Sequence, residues 1–186
     1  MEDPLQVATA RWLMGVYSLN MGELESAREH LEHVIESYDP KQHAALVATS
    51  AQDLGVSSLK WASWTLWLLG YPDQTLERSQ EALALAREPG HTYTLGFALF
   101  VAAFFHQMRR EDRMAQKRNQ RMMDLATREG FPLFLTGGDI LQGWTLARAG
   151  HTDTGVTHIH QGGDLPGDGD DDAALSLAGS IGRGTR

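Results

Sequence analysis

Residues 62–75 read "ASWTLWLLGYPDQT", and this stretch decides the fold. A small residue, Ser63, is followed seven positions later by Gly70 and five positions after that by Thr75. Glycine just past an apolar helical run, with proline just inside the next run, marks two helices joined by a tight turn. The spacing recurs three times. Residues 14–27, "MGVYSLNMGELESA", place Gly15, Gly22 and Ala27 in register. Residues 102–115, "AAFFHQMRREDRMA", place Ala103, Arg110 and Ala115, with arginine at the turn. Residues 142–155, "QGWTLARAGHTDTG", place Gly143, Gly150 and Gly155. Where two helices of a hairpin cross, a small side chain lets the backbones approach.

Working outward, apolar residues keep a helical period through most of the chain, and no period-2 strand is evident. Breaks at Gly22, Pro40, Gly70–Pro72, Gly90, Gly130–Pro132 and Gly150 predict helices at 4–20, 23–38, 55–69, 73–88, 92–108, 112–129, 133–149 and 152–161. Residues 41–53 form a longer connector. The expected fold is all-α, an α-α superhelix of about four helical hairpins over residues 1–161. An acidic, Gly/Asp-rich tail, expected to be disordered, follows over 162–186.

The register resembles that of the tetratricopeptide repeat family, with a small residue in helix A, a turn glycine and an alanine in helix B. The likeness covers residues 5–161, with a period longer than the family's about 34 residues and Arg110 in place of the third turn glycine. Residues 53–86, "DLGVSSLKWASWTLWLLGYPDQTLERSQEALALA", with "GFALFVAAFFHQMRR" (96–110) and "GFPLFLTGGDILQGWTLARAG" (130–150), are similar to a narrower group. That group is the C-terminal helical-repeat region of bacterial regulators that carry a nucleotide cyclase or an AAA-type ATPase. The resemblance implies a scaffolding or sensing role, without the cyclase or ATPase part.

The chain has 186 residues, 16 basic and 24 acidic side chains, a net charge of −8 and no cysteine. Asp164, Asp168, Asp170, Asp171 and Asp172 against Arg183 and Arg186 give the tail −3 and leave −5 on the body. An acidic body argues against nucleic-acid binding, which depends on neutralising phosphates. The longest apolar stretch, "LGFALFVAAFF" at 95–105, is too short for a membrane span and reads as a buried helix. The start, Met-Glu-Asp-Pro, has no signal-peptide character. With the absence of cysteine, these features point to the cytoplasm.

No constellation for chemistry emerges. "GSIGRGTR" at 179–186 lacks the lysine of a phosphate loop. His30 and His33 share a helical face without an acidic third ligand. His151, Asp153, His158 and His160 gather only if their segment is not helical. Asp168, Asp170 and Asp172 have the start of a calcium loop, but Ala173 stands where the loop needs glycine and Gly179 where it needs glutamate. Asp53 and Asp139 are explained by placement near helix N-termini. No catalytic residue, metal or cofactor is expected.

Two surfaces remain. Aligned on Gly15, Ser63, Ala103 and Gly143, the next positions are Val16, Trp64, Phe104 and Trp144. Those three before are Trp12, Lys60, Phe100 and Ile140, and those four after are Leu19, Trp67, Gln107 and Ala147. In tetratricopeptide arrays such positions face a concave groove, so the resemblance implies a groove lined by Trp12, Trp64, Trp67, Phe100, Phe104 and Trp144. Trp61 falls off this stripe and reads as core. Arg113, Lys117 and Arg121, at i, i+4 and i+8, form a patch suited to an acidic partner. The expectation is a non-catalytic interaction or scaffolding module of a signalling protein, binding a protein or peptide. The alternative is a sensing domain whose aromatics close over a small apolar ligand and regulate a partner ATPase or cyclase. The short last helix lacks a polar cap and predicts an apolar edge open to a second copy.

Overall fold

The computed structural model describes residues 4–40, 53–87 and 92–163. These form eight α-helices: α1 Pro4–Met21, α2 Leu24–Ser37, α3 Leu54–Leu68, α4 Pro72–Leu85, α5 Thr92–Met108, α6 Asp112–Glu129, α7 Pro132–Arg148 and α8 Thr152–Gly163. The helices pack as consecutive pairs into four hairpins, and each pair packs on the next. The fold is thus the expected all-α helical-repeat stack, and the helix bounds fall within three residues of those read from the sequence. The connector and the acidic tail lie largely outside the described residues. α8 runs through Gly162 and Gly163, two residues beyond the expected boundary.

The four hairpin turns share one hydrogen-bonding scheme. Gly22, Gly70, Arg110 and Gly150 all have left-handed backbones, with φ of 80, 86, 60 and 93°. Each donates to the carbonyl three residues back, and the next residue donates to the carbonyl five back. The second bond runs from Glu23 to Ser18, Tyr71 to Leu66, Glu111 to His106 and His151 to Leu146, at 2.9–3.0 Å. This pairing is the Schellman closure of a helix C-terminus, which satisfies carbonyls that the helix cannot. Pro72 then opens α4 and Pro132 opens α7, where a missing N–H costs nothing. The Asp53 side chain caps α3 by accepting from Val56 N at 2.8 Å.

The crossing residues behave as their size requires. Ala27, Ser63, Thr75 and Ala103 are fully buried. A Cβ at Gly155 would stand 2.5 Å from the Gly143 carbonyl oxygen and 2.8 Å from Ala147 N. The first helices of the second and third hairpins are apolar nearly all round and accordingly buried, whereas α2, α4 and α6 bury one stripe and expose charges. The main core runs from Val56 and Leu59 of α3 through α5 to Phe134 and Leu141 of α7. A second, small cluster of Ala8, Val34 and Leu54 holds Trp12. Among the described residues, no helix is long and apolar enough to cross a membrane.

Candidate functional site

The helix-A aromatics divide into separate groups. Trp64 lies 4.9 Å from Phe104 and 5.1 Å from Phe105, and Trp67 lies 6.0 Å from Phe105. Phe105, absent from the stripe read in the sequence, is fully buried at the centre of this group. Phe104 is only 6% exposed. It is a core residue and does not face an open groove, a correction that follows from its contact with Trp64 across the α3–α5 interface. Phe100 is half-buried, 6.4 Å from Phe97 and against the backbone of Gly137. Trp12 packs in the small N-terminal cluster, and Trp144 stands alone on α7 beneath the Arg148 guanidinium at 5.0 Å.

Trp61, expected in the core, is no more buried than Trp64 and Trp67. Trp64 and Trp67 pack on the main core. Trp61 is half-buried and turns its face to Lys60, whose Nζ lies 4.4 Å from the Trp61 ring and 3.9 Å from the Phe97 ring. Lys60 itself is 5% exposed. Burial pushes its amine down to about 7, because the ammonium has exchanged water for aromatic faces.

Several polar atoms of the first helices are sequestered without partners, among them the Trp12 and Trp64 Nε1 donors, the Gln107 Oε1 acceptor and the Ser57 and Ser58 hydroxyls. Gln107 follows Phe104 by one helical turn and occupies the register position of Trp67.

The basic patch on α6 is exposed as expected. Arg113, Lys117 and Arg121 all face solvent and make no ion pair among the described residues. Arg113 and Lys117 line a cleft of about 420 Å³ between α6 and α7, together with Gln116, Gln120, Gln142 and Thr145. Its lining mixes polar groups with Leu146 and includes none of the aromatic residues of the stripe. Among the described residues, no three histidines or carboxylates gather to hold a metal. α8 is helical, which separates His158 from His160, and His158 Nδ1 instead faces Asp139 at 3.5 Å. Asp139 is the eighth residue of α7, too far inside the helix to act as its cap.

The apolar edge at α8 is present: Val156 is 44% and Ile159 37% exposed. The larger apolar surface is at the opposite end, where Leu13, Met14, Tyr17 and Met21 of α1 are 51–66% exposed. Sequence reasoning missed it because α1 carries apolar residues on every side. No protein-family model matches the chain, and no curated protein matches it.

Proposed function

We propose that this chain is a non-catalytic protein-interaction module of the tetratricopeptide type, and that its helix-A face holds an extended peptide or a helix from a partner. The observation that supports this most directly is the row of half-buried rings that the first helices of the hairpins carry, Trp12, Trp64 and Phe100. Trp64 Nε1 and Gln107 Oε1 are closed off from solvent next to these rings, so a peptide backbone would pair with them only after the two side chains shift. The half-buried rings of Trp64, Trp67 and Phe100 supply apolar contact beside them. The basic α6 face adds a contact for acidic segments of the same partner. The exposed ends on α1 and α8 support self-association as a second mode.

The test uses substitutions that keep ring size and volume. Trp64→Phe removes the donor and Gln107→Met removes the acceptor. Affinity capture with mass spectrometry should recover partners with the wild type and lose them with the double variant, while circular dichroism shows both folded. Equal recovery by a folded double variant overturns the reading. For self-association, light scattering after size-exclusion chromatography at high concentration decides. A monomer mass alone excludes it.

A further inference from the structure

The repeat register places one arginine where its acid is missing. Arg78 of α4, eight residues after Gly70, pairs with Glu32 of α2, ten residues after Gly22, at 2.7 Å. Arg118 of α6, eight residues after Arg110, is the equivalent of Arg78. The α4 position equivalent to Glu32 is residue 80, ten after Gly70, and it is Gln80. The inter-repeat ion pair that joins hairpins 1 and 2 therefore has no counterpart between hairpins 2 and 3. Arg118 makes no ion pair among the described residues, and its Nε is buried without a hydrogen-bond partner.

The charges around Arg118 are of its own sign. Arg121 lies one turn along the same helix, and Arg87 stands in the turn two residues past the end of α4. Burial, then the positive charges of Arg121 and Arg87, lowers the pKa of Arg118. Neither neighbour is engaged in an ion pair among the described residues. A partly desolvated guanidinium with its Nε–H closed off and unpaired, beside the exposed Arg87 and Arg121, is a costly arrangement unless an anion meets its terminal nitrogens.

We infer that Arg118, Arg87 and Arg121 form a binding site for a phosphate-type oxyanion. The charge count favours phosphate over a single carboxylate. A phosphoryl group carries about −1.5 to −2 at neutral pH and presents three acceptor oxygens, which suits three guanidiniums better than one unit of charge does. Arginine is the side chain whose planar fork matches such oxygens. The site takes the phosphoryl group whether it comes as free phosphate or on a side chain of a bound protein. It is separate from the aromatic face and does not depend on that reading.

Calorimetric titration of the full chain tests this, with chloride matching ionic strength. Inorganic phosphate is one arm; a phosphoserine peptide and its unphosphorylated form are the others. The wild type should bind phosphate or the phosphopeptide saturably and one-to-one, and ignore the unphosphorylated peptide. Arg118→Gln should weaken binding about tenfold or more. Gln80→Glu should do the same with every arginine intact, by restoring the internal pair, and its exposed position keeps the test valid if Arg118→Gln fails to fold. A phosphopeptide that binds more tightly than free phosphate identifies a phosphorylated protein as the source; the reverse order identifies the free anion. No saturable binding in either phosphoryl arm, or Gln80→Glu binding like wild type, overturns the site.

Discussion

His106 Nδ1 and Glu111 Oε2 lie 2.6 Å apart, on either side of the left-handed Arg110. The second Glu111 oxygen takes Arg109 Nε at 2.8 Å, and Arg109 reaches Asp73 of the preceding turn at 3.0 Å. This network braces the one hairpin turn that lacks glycine. Arg148 repeats the link from the next turn, meeting Asp112 at 3.2 Å. Asp73 to Arg109 and Asp112 to Arg148 are both 36 residues apart, so adjacent turns are tied at a constant interval.

Arg110 adopts φ 60° where its three counterparts are glycine. A non-glycine residue there costs about 1–2 kcal/mol, and the added freedom of glycine in the unfolded chain cancels about half of the gain. Arg110→Gly should therefore stabilise the protein by about 0.5–1 kcal/mol and raise the melting temperature by about 2 °C. Gly70→Ala, at φ 86°, should lower it. Differential scanning calorimetry of the two variants checks the opposite signs.

Arg109, and after it His106, hold the Glu111 carboxyl below the usual carboxylate range. A depressed folded pKa gives stability that is complete above the unfolded value and is lost as pH falls through the folded one. Glu111→Gln should thus be less stable than wild type near neutrality, and the gap should close as pH drops from about 6 to about 3. Urea melts across that range measure the gap; a constant difference refutes the assignment.

Lys60 acts in the opposite window. Its folded pKa of about 7 lies below the ordinary lysine value of 10.5, so between these limits the unfolded chain binds the extra proton. Stability then rises with pH from about 7 to about 10.5, by at most about 1.4 kcal/mol per unit. The full separation corresponds to about 5 kcal/mol, the most that this group can contribute to the pH dependence. Lys60→Met should stabilise the protein at neutral pH, by up to about 5 kcal/mol, and flatten the alkaline rise. A variant as pH-dependent as wild type would show that the amine is not the cause.

At the α7–α8 crossing the backbones themselves touch. Gly155→Ala sets a Cβ 2.5 Å from the Gly143 carbonyl and 3.0 Å from Ala147 Cβ, with no flexible side chain to yield. A loss of about 2–3 kcal/mol is expected. Gly163→Ala, with open space around it, should be close to neutral. Amide hydrogen exchange on α8 should speed up for the first variant alone.

The sequence by itself determined the hairpins. A small residue, a turn residue seven later and a small residue five later are local chemistry: glycine relieves a left-handed turn, and a small side chain permits a crossing. That is why even Arg110 could be placed at a turn without its glycine. It also fixed the exposed face of α6, because charges at i, i+4 and i+8 leave that helix one way to face the core. Tertiary structure alone decided which side of each apolar helix is inside. α1 and α3 carry apolar residues around most of their circumference, so periodicity assigns no face. The neighbouring helices sent Phe104 inward, laid the half-buried Trp64 against it, turned Trp61 toward Lys60, and left Leu13 and Tyr17 in water. Likewise the missing acid opposite Arg118 is visible only once α4 and α6 lie side by side, since an ion pair between repeats belongs to the packing and to neither helix alone.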